Sequence, residues 1–233
     1  MTNRAITVEE QRIKAVYERR CSEHLYSLFE PAQLFALHQL ENSVLGFLRA
    51  HDFLSLKDKR ILDVGCGDGY WLREFIEWGA SPENITGVDL LFDRVATARR
   101  LCAQGMSIHC GNAASLSFPN ESFDVVMQCT MFTSVLDSQM RRLIAGEMSR
   151  VVKAEGFIIW YDYYVNNPRN PDVRGIRKRE IAQLFPDCQI EIQKVTLAPP
   201  LARLVAPYSW LACYALERMK LFNTHYLAVI RKT

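Results

Sequence analysis

The sequence predicts a doubly wound α/β fold, with helices covering both faces of a mostly parallel sheet. Short apolar runs rich in β-branched residues alternate with segments of helical period along most of the chain. The first such run, Ile61-Leu62-Asp63-Val64, passes directly into a glycine turn, Gly65-Cys66-Gly67-Asp68-Gly69, and then into a helix start. Strands alternating with helices of this length imply right-handed crossovers and a parallel sheet. A chain of 233 residues, 49% hydrophobic, can bury one full core, and neither repeats nor low-complexity linkers divide it.

The elements follow in order. Residues 1–54 read as an N-terminal helical cap of two or three helices. Thr7 followed by Glu10 forms a capping box for the first, and Pro31 sits where proline is favoured, in the first turn of the next. Residues 55–233 read as the sheet-bearing core. It begins with strand 61–64 and helix 70–78, where Leu72, Phe75 and Ile76 fall at helical spacing. Strand 84–89, helix 92–104, and strands 106–110 and 123–128 come next. Helix 137–152, strand 156–161, helix 178–184, strand 188–197 and a last strand near 224–231 complete it. Residues 199–222 form an insertion between the last two strands, in which Tyr208, Trp210, Leu211, Tyr214 and Leu216 predict an apolar, aromatic helix.

Composition excludes several classes. A net charge of +2 leaves no electrostatic footprint for nucleic acid. The seven cysteines, at 21, 66, 102, 110, 129, 188 and 213, are scattered, odd in number and mostly within apolar runs. That pattern suits reduced thiols in a cytoplasm and predicts neither a disulfide framework nor a metal site. The opening M-T-N-R-A-I-T-V-E-E has no apolar h-region, and no stretch of eighteen uncharged apolar residues offers a membrane span.

The glycine turn defines a pocket at the carboxyl end of a strand. Glycines let a ligand approach the backbone, and the amide end of the following helix points at it. A dinucleotide fingerprint, G-x-G-x-x-G, would need glycine at position 70, which is Tyr70. The spacing here is G-x-G-x-G, preceded by the acid Asp63, and a buried acid suits a ligand with a cationic amino-acid head better than a pyrophosphate. Asp63 to Gly69 thus resembles the first motif, D-x-G-x-G-x-G, of the class I S-adenosylmethionine-dependent methyltransferases. The resemblance implies a Rossmann-like fold whose last strand, here His225 to Arg231, runs antiparallel. It also implies S-adenosyl-L-methionine as cofactor, held by Asp63, Gly65, Cys66, Gly67 and Gly69.

Asp89 ends the second strand about twenty residues beyond the glycines, where an acid can accept from both ribose hydroxyls, with Leu90 beside it. NAD enzymes share that device, and Asp89 also reads as a cap for the helix starting near Asp93. An NAD-dependent oxidoreductase is disfavoured by Tyr70 and by the lack of a matching Tyr-x-x-x-Lys arrangement. Gly111-Asn112-Ala113 stands where the family commonly has Asp-Ala meeting the adenine amino group. The Asn112 oxygen can accept there, or Asn112 can simply form an Asx-turn. By the same resemblance Gln128, Cys129 and Met131, just past the fourth strand, border the methionine part of the cofactor and the methyl-transfer site.

Two segments lie outside this framework and are expected to choose the acceptor. In the family, N-terminal helices cover the cofactor and part of the acceptor site, which places Tyr17 and Arg20 there; a solvated helix face is the other reading. The second segment, Tyr161 to Pro171, follows the fifth strand and combines Asp162, Asn166, Asn167 and Arg169 with Tyr161, Tyr163 and Tyr164. Such hydrogen-bonding and stacking groups suit a hydroxylated acceptor, with Tyr17, Tyr163, Asn166 and Arg169 as contacts. This segment also resembles a bacterial methyltransferase subgroup associated with polysaccharide and glycan gene clusters. The expected acceptor is therefore a small molecule or a glycan, nucleotide- or lipid-linked in some versions, methylated on a hydroxyl oxygen. Asp162 is the first candidate base and His225 the alternative, although a strand histidine is more often structural. A natural-product acceptor or a non-catalytic cofactor-binding protein stays open. The insertion reads as a core-packing or homodimer element, as a lid, or as a contact with a lipid-linked acceptor.

Overall fold

The computed structural model describes residues 2–19, 27–168 and 170–233. Seven strands make one sheet: Ile61–Val64 (β1), Ile85–Asp89 (β2), Ser107–Cys110 (β3), Phe123–Cys129 (β4), Val152–Tyr163 (β5), Cys188–Leu197 (β6) and Asn223–Lys232 (β7). They lie in the order β3-β2-β1-β4-β5-β7-β6. The five strands from β3 to β5 pair parallel, and β7 inserts antiparallel between β5 and β6. This is the mostly parallel, doubly wound sheet with an antiparallel last strand that the sequence predicts.

Eight helices accompany it among the described residues: Thr2–Arg19 (α1), Pro31–Ala50 (α2), Tyr70–Glu77 (α3), Phe92–Leu101 (α4), Ser138–Val151 (α5), Lys178–Leu184 (α6), Pro199–Val205 (α7) and Trp210–Arg218 (α8). Strand residues alternate between the two faces of the sheet, so each face gathers its own core. Leu62, Val64, Val126, Ile158 and Trp160 pack with Ile144 and Met148 of α5 and with Ile181 of α6. Ile61, Val125, Met127, Phe157 and Ile159 pack on the other face with Val44 of α2, Leu72 and Phe75 of α3, and Val95 of α4. Each such buried side chain contributes about 1.5–3 kcal/mol, so the sheet centre is the rigid base on which loops at the strand ends are mounted.

Two expectations need correction. The first helix begins at Thr2, so Thr7 lies inside it and forms no capping box. Residues 2–6 contain no glycine or proline to stop the helix earlier. The insertion is two helices: Pro199 and Pro200 open α7, and the Ser209 hydroxyl caps α8 by accepting from the Ala212 N–H at 3.1 Å. Its small residues do the packing, with Ala202, Ala206 and Cys213 buried against Ala32 and Phe35 of α2. Of the aromatics, Trp210 meets Phe35 edge-on at 5.8 Å, while Tyr208 stays 89% exposed. No helix among the described residues is long and apolar enough to cross a membrane.

The α5 helix carries the wall of the site described below, and Asp137 caps it by accepting from the Met140 N–H at 2.6 Å. Asp137→Ala is expected to lower stability by about 1 kcal/mol in urea unfolding, with the slope unchanged.

Candidate functional site

The glycine turn is built by β1 and β2 together. The Gly65 and Cys66 N–H groups both donate to the Val88 carbonyl, at 2.7 and 3.1 Å. Gly65 has φ +79°, and a Cβ there would lie 2.7 Å from Cγ of Met131, so the turn tolerates no side chain at that point. Gly69 is required for another reason: its Cβ would lie 2.5 Å from the Cys102 sulfur, beyond the end of α4. That third glycine therefore serves helix packing, where ligand approach was expected.

Asp89 locks the turn. Its Oδ2 accepts from the Gly67 N–H at 2.9 Å and its Oδ1 from the Leu91 N–H at 2.8 Å. It thus ties the loop to the start of α4 while bordering a cavity. Asp63 contrasts with it: it is 1% exposed, and neither carboxylate oxygen has a hydrogen-bond partner. Burial, and secondly the charge of Asp89, push its carboxyl up to about 8. Asp63 lines none of the three cavities described next and lies behind the glycine turn, so it stays protonated at pH 7 unless a cation approaches through that turn.

Three cavities meet at Cys129 and Thr130, just past the end of β4. A narrow slot of about 110 Å³ runs between Leu90, Ala113, Met131 and Ile13, with Asp89 and Asn112 at its edge. A cleft of about 680 Å³ opens beside it, lined by Gly65, Cys66, Gly67, Trp71, Thr133 and Tyr163. A third cavity of about 500 Å³ lies on the far side of Trp71, against Leu37, Leu40, Tyr161, Thr196 and His225. The Cys66 thiol is held well above its ordinary value by burial and then by Asp63, so it is no nucleophile.

Helix α1 closes over the slot. Glu9 accepts from the Leu136 and Asp137 N–H groups, and Arg12 donates to the Ser134 carbonyl at 2.5 Å. The Tyr17 hydroxyl lies 3.1 Å from that of Ser134, and the Arg94 guanidinium stands 4.6 Å over the Tyr17 ring. Tyr17 therefore lines slot and cleft and does not sit on a solvated helix face. Asn112 forms an Asx-turn, accepting from the Ala114 N–H at 2.8 Å, and its amide nitrogen donates to Glu10 of the lid.

Several expected site residues face elsewhere. Gln128 is wholly buried, donating to the Tyr161 carbonyl and accepting from the Met131 N–H, both at 3.2 Å. It lines none of the three cavities, because strand alternation that turns Cys129 toward them turns Gln128 away. Asp162 is displaced by the same rule: Tyr161 and Tyr163 reach the cavities, and Asp162 points away from them. It is 1% exposed and accepts from the Thr133 hydroxyl at 2.7 Å, the Thr133 N–H at 3.1 Å and the Tyr163 N–H at 2.9 Å. Burial pushes its carboxyl up to about 7 against those bonds. It braces the turn at Thr133 and does not face an acceptor.

His225 lines the third cavity, stacked on Tyr161 with ring centroids 4.7 Å apart and 3.7 Å from Tyr163, with Nδ1 3.0 Å from the Thr224 hydroxyl. Burial pushes it down to about 3, so the ring is neutral at pH 7. Asn166 closes its own loop by accepting from the Gly175 N–H at 2.9 Å, and its neighbours Asn167 and Asn170 line the cleft instead. Arg169 and Arg20 lie outside the described residues. Sequence reasoning passed over Thr130, Thr133, Ser134 and Arg94. Only Thr130 carries a distinctive sign, a φ of +55° at a β-branched residue, and that is invisible in a one-dimensional pattern.

Sheet order, glycine turn and the acid on β2 define an α/β protein built to hold an adenosyl-type cofactor at the ends of β1, β2 and β4. Comparison with known proteins narrows this. Residues 61–156 match the family model described as a methyltransferase domain. The phthiotriol/phenolphthiotriol dimycocerosates methyltransferase 1 of Mycobacterium ulcerans is 29% identical over 58% of this chain and 50% of its own length. The tRNA U34 carboxymethyltransferase of Pseudomonas fluorescens is 35% identical over 44% of this chain and 33% of its own. The chain thus spans half or less of the length of these curated relatives. In structure, the PH0226 protein of Pyrococcus horikoshii superposes with a TM-score of 0.65 at 17% identity, covering 94% of this chain and 99% of the other, a likeness of fold. Over residues 61–156 the chain therefore resembles a methyltransferase domain.

Asp63 makes stability depend on pH. Between the ordinary carboxyl range and about pH 8 the folded chain keeps a proton that the unfolded chain has lost, so stability falls as pH rises through that window. Melting temperature measured from pH 5 to pH 8 should drop more steeply for the wild type than for Asp63→Asn, which carries no titrating group there.

Proposed function

We propose that this chain transfers the methyl group of S-adenosyl-L-methionine to a hydroxyl oxygen of a small-molecule or glycan-type acceptor. The observation that carries the reading is the shared wall at Cys129 and Thr130, where slot, cleft and third cavity converge. A cofactor on the glycine side and an acceptor on the Tyr163 and His225 side would meet at that one point. The cap of residues 1–54, the core of 55–233 and the 199–222 insertion act as one unit in this scheme.

In the proposed arrangement Gly65 and Gly67 admit the cofactor to the backbone, and Asp63 balances its ammonium charge. Asp89 takes the ribose hydroxyls with the lone pairs left over from its two backbone bonds, while Leu90 and Ala113 enclose the base. When bound, S-adenosylmethionine supplies a methyl group already activated on a sulfonium, and the electron pair of the breaking carbon–sulfur bond stays on sulfur. The chain's own task is alignment and the exclusion of water, which α1 serves through Glu9, Arg12 and Tyr17. As the acceptor oxygen bonds to the methyl carbon, its proton becomes strongly acidic and passes to the neutral ring of His225. A base held as low as His225 is adequate for a proton lost that late. Asp162 acts through Thr133, by fixing the turn that faces the cleft.

Calorimetry with S-adenosylhomocysteine tests the cofactor half, and NAD should give no signal. Asp89→Ala is expected to weaken binding by about 1.5–3 kcal/mol while the protein still melts cooperatively. His225→Ala should leave that affinity within a few-fold and lower methyl transfer to extract acceptors by about 10²-fold. Unchanged turnover in His225→Ala would remove it from the reaction.

A further inference from the structure

We infer that the third cavity is the acceptor site and takes an amphiphile, with a hydroxylated head at its inner end and an apolar tail along α2 and α7, drawn from a lipid surface. This rests on the methyltransferase reading above and names the acceptor class it leaves open. Polar groups concentrate at the inner end of the cavity. The Tyr161 hydroxyl lies 2.8 Å from that of Thr196, beside His225 and Thr130. Thr130 and Thr196 both hold left-handed backbone, with φ +55° and +62°. β-branched residues seldom adopt that conformation, and its recurrence on two walls of one cavity marks a site kept for function.

Beyond that end the walls are mostly apolar, Ala36, Leu37, Leu40, Leu197 and Ala202, with Gln33 the one amide among them. A sugar chain would need hydrogen-bonding groups along its whole length, whereas an alkyl or prenyl chain needs none. Charge returns at the rim, with exposed Glu30 and Arg203. Apolar side chains bared to solvent adjoin both: Phe29 is 98% exposed and Leu204 is 71%. Tyr208 at 89%, Leu211 at 78% and Leu221 at 72% extend this surface over the insertion. Arg203, Arg218 and Lys220 are interspersed with them. Aromatic and aliphatic groups mixed with cations match the boundary of an anionic bilayer, where rings sit at headgroup depth and basic groups meet phosphate. Because Ala202, Ala206 and Cys213 pack against Ala32 and Phe35, the surface is fixed to the helix that walls the cavity. A tail leaving a bilayer beneath it would enter the cavity without crossing water.

Two measurements on the full chain test this, each with S-adenosylhomocysteine calorimetry alongside. In sucrose-gradient flotation with phosphatidylcholine–phosphatidylglycerol vesicles, the wild type should rise with the lipid. The Leu204→Glu, Leu211→Glu double variant, altered only at exposed positions, should bind vesicles at least about 10-fold more weakly. In fluorescence titration with a nitrobenzoxadiazole-labelled dodecanol, the wild type should saturate and Ala36→Phe, which fills the cavity from α2, should bind about 10-fold more weakly. All variants should keep the wild-type affinity for S-adenosylhomocysteine. A wild type that binds S-adenosylhomocysteine but neither floats nor takes up the labelled alcohol overturns the amphiphile site and leaves the methyltransferase reading standing. Sedimentation showing a dimer that the double variant dissolves, without vesicle binding, would reassign the surface to a second copy and equally overturn it. A wild type that does not bind S-adenosylhomocysteine would sink the methyltransferase reading itself.

Discussion

Everything in the site hangs on the Asp89 carboxylate reaching two backbone N–H groups at once. One bond fixes Gly67 in the turn after β1, and the other fixes Leu91 at the entry to α4. Together with the Val88 carbonyl, which takes the Gly65 and Cys66 N–H groups, this makes the ends of β1 and β2 one rigid body. A charged acceptor serving two donors is stronger than a neutral one, and being buried it is little screened. The same placement leaves Asp63 without a hydrogen bond a short way down the neighbouring strand. The stability of the turn and the demand for a cation beside it therefore share one origin, two acids at the ends of adjacent parallel strands.

The lid is a second consequence of strand-end geometry. Ser134, Leu136 and Asp137 present backbone groups just past β4 that α1 answers with Glu9 and Arg12, while Tyr17 meets the Ser134 hydroxyl. Arg12 and Tyr17 lie three and eight residues beyond Glu9, a spacing that keeps both near the Glu9 face of the helix. The helix is held by polar bonds to loop backbone more than by a large apolar seam, a form of attachment that can be opened and remade. Asp162 supports the arrangement from the other side by holding Thr133.

The sheet was legible because β1, β4 and the middle of β5 are short apolar runs bounded by glycine or polar residues, while β6 shows a two-residue alternation over Gln189–Gln193. The pocket was legible because glycines at positive φ and acids at strand ends are rare combinations with a steric reason behind them. Asp162 and Gln128 were misplaced by a single step of strand alternation: position past a strand end says which end of the sheet a residue is near, while parity decides which way it points. Asn166 was read as a ligand contact although its side chain is spent on its own loop. The insertion was expected as one aromatic helix and is two, packed through alanine and cysteine with Trp210 against Phe35 and Tyr208 left exposed. Backbone strain at Thr130 and Thr196 arises only once β4 and β6 have partners, so no pattern of residue types announces it.

The position of β7 has a bearing on how the molecule is made. Among the described residues β6 has no hydrogen-bonded neighbour in the sheet except β7, and β7 fills the gap between β6 and β5. On a ribosome, residues up to the end of β6 emerge with that gap still open and the β5 edge bare. His225, the stacking of Tyr161 and Tyr163, and the inner end of the third cavity come into being only when residues 223–232 slide into place. The glycine turn, formed by β1 and β2, is finished long before. A partly synthesised chain thus has its glycine turn assembled while the inner end of its third cavity does not yet exist.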